Sequence, residues 1–226
     1  MDRVGTFLLI APILLFSMVA HEYAHGYAAL RQGDPTAYQL GRLTWNPVRH
    51  IDPFMTIIVP LILFFTHMPI IGGAKPVPVN PRNYRRYKRG DIIVSLAGVA
   101  TNLVIAILCV PLIILTGMIG HALPVLAPSL ALLQVMLAYG IVFNLVLVLF
   151  NLFPIPPLDG SHVVKHLLPP AWSLRYQQFG RFGFIILILL LFYTPVFDWW
   201  LWPVNVGTHL LLAPTAAFHL PSTIAL

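Results

Sequence analysis

Apolar positions in this chain come in long unbroken runs rather than in alternation. From residue 4 to residue 30 the only charged side chain is Glu22, and from 92 to 158 there is none. A single helix of the second length would span about three hydrocarbon cores of ~30 Å, so that run must hold two spans and a turn. Pro124 and Pro128, near Gly117, Gly120 and His121, mark the turn and predict spans over 92–117 and 130–153. A further span is predicted over 180–196. Phe179, Phe182 and Phe184 open it, and Trp199, Trp200 and Trp202 follow it as an interfacial belt. The stretch 203–213, with Pro203, Gly207 and His209, either crosses again or lies at the interface.

The segment 53–74 breaks the pattern. It is uncharged and apolar, but it contains Pro53, Pro60, Pro69, Gly72 and Gly73. Its cleanest apolar core, 57–65, is under half the length of a helical span. A short crossing helix and a re-entrant segment, with or without a short β-hairpin, both fit these residues.

Composition turns these runs into a class. Charged residues are 9% of the chain and hydrophobic ones 58%, with a mean hydropathy of +0.85. A soluble chain carries about 25% charged residues. The expectation is an all-α polytopic membrane protein with about four to five transmembrane helices. It would form one membrane-embedded domain over 1–226, with a core at about 4–165 and C-terminal helices at about 180–213. The N-terminus carries Arg3, an apolar stretch and Ala20, as a signal peptide would. Met1-Asp2-Arg3 has almost no net charge, however, and the apolar run continues to Leu30, which favours a span. The net charge of +6 has a better use than nucleic acid, because basic residues set membrane orientation. The loop 75–89 holds Lys75, Arg82, Arg85, Arg86, Lys88 and Arg89, and suits an anionic membrane face. The one cysteine, Cys109, excludes an intramolecular disulfide.

The chemistry starts at His21-Glu22-Tyr23-Ala24-His25. On a helix, residues i and i+4 share a face, so both imidazoles can reach one metal ion. Glu22 lies beside them, placed to take a proton from water held at that metal. It is the only Glu in the chain, and an ionisable group within an apolar helix marks a functional site. Zinc suits such a site, with three protein ligands and an open position. Among Asp2, Asp34, Asp52, Asp91, Asp159 and Asp198, the outstanding third ligand is Asp159. Pro154, Pro156 and Pro157 stop the preceding helix and Gly160 permits a turn, so a carboxylate projects from a broken helix end. His162 and His166 form a second i, i+4 pair, but Lys165 rather than an acid lies between them. His50, His67, His121, His209 and His219 are isolated and suit loop or interface roles.

Together these elements resemble the site-2 protease family of intramembrane zinc metalloproteases. The resemblance covers roughly residues 15–165. It rests on the His21–His25 motif, Gly72-Gly73-Ala74-Lys75-Pro76-Val77-Pro78-Val79-Asn80, Ser95-Leu96-Ala97-Gly98 followed by Asn102, and the stretch 151–160. Ser161 and Val99 depart from the family pattern without touching a presumed ligand. The resemblance implies His21, His25 and Asp159 as ligands of one zinc per chain, and Glu22 as catalytic acid/base. It also implies Asn102 and Asn151 as lining residues that bond substrate or oxyanion; interhelical hydrogen bonding is the other role open to them. Asn144, seven residues before Asn151, reads as packing, and Ser95, Ala97, Gly98 and Thr101 as small residues that let helices approach. The chain looks like a minimal member without PDZ or CBS domains. The implied partners are the bilayer and a transmembrane protein substrate, with no nucleic acid. An extended stretch around 70–79 could offer a strand edge to an unwound substrate.

Topology then constrains 53–74. His21 and His25 lie near the C-terminal end of the first span, and Asp159 just past the span at 130–153. These spans must run in the same direction, with an odd number of crossings between them. The span at 92–117 supplies one, so 53–74 is expected to be re-entrant. Every Lys and Arg except Arg3 then falls in 31–90 or 154–181, on one face. The positive-inside rule places that face and the active site toward the cytoplasm, and the small architecture suggests a prokaryotic plasma membrane. The main alternative is a non-proteolytic membrane protein that keeps the metal site for binding or transport. Transport predicts further intramembrane acids or histidines, which the spans nearly lack. A membrane oxygenase would need more clustered histidines.

Overall fold

In a computed structural model, residues 3–65 and 72–221 are described. His67, residues 70 and 71 of the expected strand edge, and Asp2 lie outside them. The chain forms two compact units, Leu15–Thr101 in one, and Met1–Leu14 with Asn102–Leu226 in the other. Four helices are long and apolar enough to cross a membrane.

α1 (Arg3–Gln32), which belongs to the first unit from Leu15 on, carries the N-terminal apolar run. It stops at Gly33, whose φ of 108° favours glycine. Gly33 N–H donates to Leu30 C=O and Asp34 N–H to Ala29 C=O, closing the last turn by the two bonds of a Schellman motif. After the short α2 (Thr36–Gln39), Asn46 caps a 3₁₀ turn at Pro47–His50. Asp52 then caps a π-helical turn, Pro53–Ile58, by accepting from Phe54 and Met55 N–H. α3 (Val59–Phe65) follows, with Leu61, Ile62 and Phe65 exposed.

The two ends of 53–74 are bonded to each other. Gly73 N–H donates to Met55 C=O, Thr56 Oγ1–H to Gly73 C=O, and Lys75 N–H to His50 C=O. The segment therefore leaves and returns at one place, as a re-entrant segment must. Among the described residues it contains no strand.

Asp34 holds what comes next. It is fully buried and accepts Asn80 N–H at 2.6 Å, Asn83 Nδ2–H at 2.8 Å, Thr36 N–H and the Thr36 hydroxyl. Burial alone would raise its carboxyl, but these donors outweigh it and hold the group below its ordinary value of 3.8. Its anchoring is therefore complete above that value and lost as pH falls through the lower folded one. Asp34→Asn is expected to destabilise the protein by about 1–3 kcal/mol near neutral pH. Thermal unfolding in detergent checks this: the difference from wild type should shrink below about pH 4.

α4 (Tyr87–Ala122) is longer than the predicted span, because Lys88, Arg89 and Asp91 belong to its first turns rather than to a loop. At about 54 Å it exceeds a hydrocarbon core, so its charged start can lie outside one. Packing around its start includes Ala29, Tyr84 and Val94.

In the second unit, the expected turn at Pro124 joins α4 to α5 (Ala127–Leu152). Cys109 and Ile113 pack against Leu137, Ala138 and Ile141, with Leu211 and Leu212 beside them. α6 (Asp159–Leu167) and α7 (Pro170–Tyr193) follow; α7 starts before the predicted span. α8 (Val196–Leu212) contains the three tryptophans and most of 203–213. Trp199 and Trp202 are exposed, while Trp200 Nε1–H donates to Leu149 C=O at 2.7 Å. The tail is held by buried Gln134, which donates to Phe218 C=O and accepts Leu220 N–H. Gly117 and Gly120 admit that tail, since a Cβ on either would meet Phe218 or Leu220 within 2.4 Å.

Candidate active site

His21 and His25 sit one turn apart on one face of α1. Their Nε2 atoms are 2.9 Å apart. Two nitrogens on one tetrahedral zinc at 2.0–2.1 Å lie about 3.3 Å from each other, so the pair needs to open by only a few tenths of an ångström. His25 Nδ1 lies 2.7 Å from Val94 C=O on α4. That oxygen can only accept, so the hydrogen is on Nδ1 and the Nε2 lone pair points to the shared position.

α4 passes the imidazoles at Gly98. A Cβ there would come within 2.5 Å of His21 Cε1 and His25 Nε2. The sequence marks Gly98 as one of several small residues; the structure makes it the position that admits both rings.

Glu22 is half-buried, and its Oε2 accepts Val77 N–H at 2.7 Å. Val77 belongs to the extended strap 72–80, several of whose backbone groups bond side chains. Arg42 Nη2–H donates to Lys75 C=O at 3.1 Å and to Pro76 C=O at 3.3 Å, and Asp34 takes Asn80 N–H. Within the stretch 70–79, the N–H groups of Gly73, Lys75 and Val77 and the carbonyls of Gly73, Lys75 and Pro76 are bonded within the chain. Sequence reasoning misses Arg42, and although it includes Val77 in the 72–80 motif and Asp34 among the acids, it does not give the bonds they make here. α1 carries a further unforeseen feature: Tyr23 stacks on Trp45 at 4.5 Å and Phe16 stacks on Trp45 at 6.2 Å.

Asp159 opens α6 and is half-buried. The proline stretch ends α5 at Leu152, as expected, and Gly160 closes against it: a Cβ there would lie 2.2 Å from Leu152 O. Only glycine lets the chain turn this tightly beside the helix end, which sets where the carboxylate emerges. On the same helix, Lys165 Nζ lies 3.2 Å from His162 Nδ1.

Asn102 is fully buried and donates through Nδ2 to Asn144 Oδ1 at 3.1 Å, while Asn144 donates to Gly140 C=O. This bond joins α4 to α5, as does that from Gln134 Nε2–H to Ile113 C=O. Asn151 donates to Leu147 C=O on its own helix. His50 is buried in its loop, with Nε2 2.8 Å from Thr44 C=O.

Comparison with known proteins points the same way. The model of the family described as Peptidase family M50 matches residues 115–192. YwhC of Bacillus subtilis (strain 168), named as a zinc metalloprotease, is 38% identical over 216 residues, covering 95% of this chain and 93% of that protein. Rip2 of Mycolicibacterium smegmatis, named likewise, is 30% identical over 201 residues, covering 88% of this chain and 72% of that protein. Rip2 of Mycobacterium tuberculosis (strain H37Rv) is 28% identical over 196 residues, covering 87% and 71%. No solved structure matches significantly.

Proposed function

This chain belongs to peptidase family M50, the zinc metalloproteases of the site-2 type, and from that premise we propose that it cuts peptide bonds within membrane-spanning segments of other proteins. It is an integral membrane protein and a metalloendopeptidase. His21, His25 and Asp159 would hold the zinc. The observation that carries this reading is the imidazole pair, 2.9 Å apart with His25 oriented through Val94, on a helix apolar enough to lie in a membrane.

Zinc, when bound, supplies a Lewis acid that lowers the pKa of water and polarises a carbonyl. Glu22 takes a proton from the attacking water as the C–O bond forms. It then delivers that proton to the leaving amine as the C–N bond breaks. A helical substrate hides its carbonyls in its own ladder and must unwind locally before this can happen. The basic residues of 31–90 and 154–181 support a site that faces the cytoplasm, and the bacterial relatives support a bacterial plasma membrane.

The test is metal content of the purified, detergent-solubilised chain. About one zinc per chain is expected, and Asp159→Ala should weaken zinc binding by more than the 10–100-fold typical of an outer-shell group. Undiminished zinc in that variant would mean that the third ligand lies elsewhere. A well-folded wild type that binds no zinc would overturn the zinc-protease reading.

A further inference from the structure

Pro76 and Pro78 have no amide hydrogen, so Val77 owns the only N–H between those of Lys75 and Val79. That N–H donates to Glu22 Oε2. The strap is held on both sides of this bond. Lys75 N–H donates to His50 C=O, Arg42 grips the carbonyls of Lys75 and Pro76, and Asn80 N–H reaches Asp34. The Val77 side chain is buried as well. Its Cγ1 faces Gly26, one turn after Glu22 on α1, where a Cβ would come within 2.9 Å; Leu43 and Ala37 close the same spot.

We propose that Val77 is a positioning residue for Glu22: its N–H pins Oε2 and leaves Oε1 to exchange protons with the reacting water and the leaving amine. This rests on the acid/base reading of Glu22 and deepens it. A glutamate has three side-chain torsions, and the last is broad and roughly two-fold, so the two carboxylate oxygens can otherwise trade places. A reacting group misplaced by about 1 Å can lose on the order of 10² in rate. The flanking prolines stiffen the strap, and the anchors at Arg42 and Asp34 fix where the Val77 N–H points. Those two residues act through Val77 and touch nothing that reacts.

Two experiments test this. The first is hydrogen exchange on the zinc-loaded chain in detergent, because in a fragment covering 76–78 Val77 is the only exchanging amide. Glu22→Ala should speed exchange at Val77 at least tenfold while leaving Asn80 unchanged. The second is kinetics on a single-span transmembrane peptide in micelles. Val77→Pro removes the N–H, whereas Val77→Ala keeps it and trims the packing. The loss of kcat under Val77→Pro should exceed that under Val77→Ala at least tenfold, with KM within twofold and zinc retained. Equal losses in the two variants would reduce Val77 to packing and overturn the proposal. Exchange at Val77 that ignores Glu22→Ala would overturn it too, and decides the matter if Val77→Pro does not fold. A wild type that cleaves, with exchange independent of Glu22, sinks this inference alone. A wild type that never cleaves, with Val77 still protected by Glu22, sinks the protease reading and the positioning role with it.

Discussion

Glu22→Gln is expected to lower kcat by about 10²–10⁴ while leaving zinc in place. Glutamine has nearly the shape of glutamate, and its carbonyl oxygen can still accept Val77 N–H, so the local packing survives. What it cannot do is take a proton from water and return it to the leaving amine. Glu22 is not among the proposed ligands, so metal content should match wild type. Cleavage within tenfold of wild type would remove the acid/base role. Loss of zinc would instead make Glu22 part of the metal's support. The placement of this group is itself informative, because a carboxylate on an apolar helix is costly and persists where it has work to do.

Gly98→Ala is expected to weaken zinc binding at least 10- to 100-fold, although it adds one methyl group to a residue that holds no metal. The new carbon would come within 2.5 Å of both rings. His25 cannot simply swing aside, because its Nδ1 is tied to Val94 C=O on the same helix as Gly98. The rings must turn away, or α4 must withdraw. Helix propensity runs the other way, since alanine is about 1 kcal/mol better than glycine in a helix interior. Reduced zinc affinity in a chain with wild-type helix content, read by titration beside circular dichroism, would therefore isolate the steric cause. Unchanged affinity would show that the two helices do not approach this closely in solution.

Much of this protein is legible in one dimension because its strongest signals are local. The spans follow from uninterrupted apolar runs, and the turn at Pro124 from the missing proline N–H. The shared face of His21 and His25 follows from the helical period, which puts them together wherever that helix goes. The broken helix before Asp159 is equally local, a matter of three prolines and Gly160. A re-entrant 53–74 is an expectation formed without coordinates, from the sidedness of the implied ligands and the charge bias. The bonds joining Met55 and Thr56 to Gly73 agree with that inference. Boundaries were less legible: charged Lys88, Arg89 and Asp91 look like loop but lie in the first turns of α4.

Only the tertiary structure decided which residues support the chemistry. Nothing near Val77 in sequence indicates that its amide belongs to Glu22, and nothing near Asp34 indicates that it clasps Asn80 and Asn83. Gly98 is one small residue among several until α4 is laid across the imidazoles. Nothing near Asn102 in sequence indicates that Asn144 lies opposite it. The physical reason is the same in each case. Helical period and proline chemistry act within a few residues, so the chain writes them locally. A hydrogen bond or steric gap between distant residues depends on the path the backbone takes between them, and that path exists only once the fold is formed.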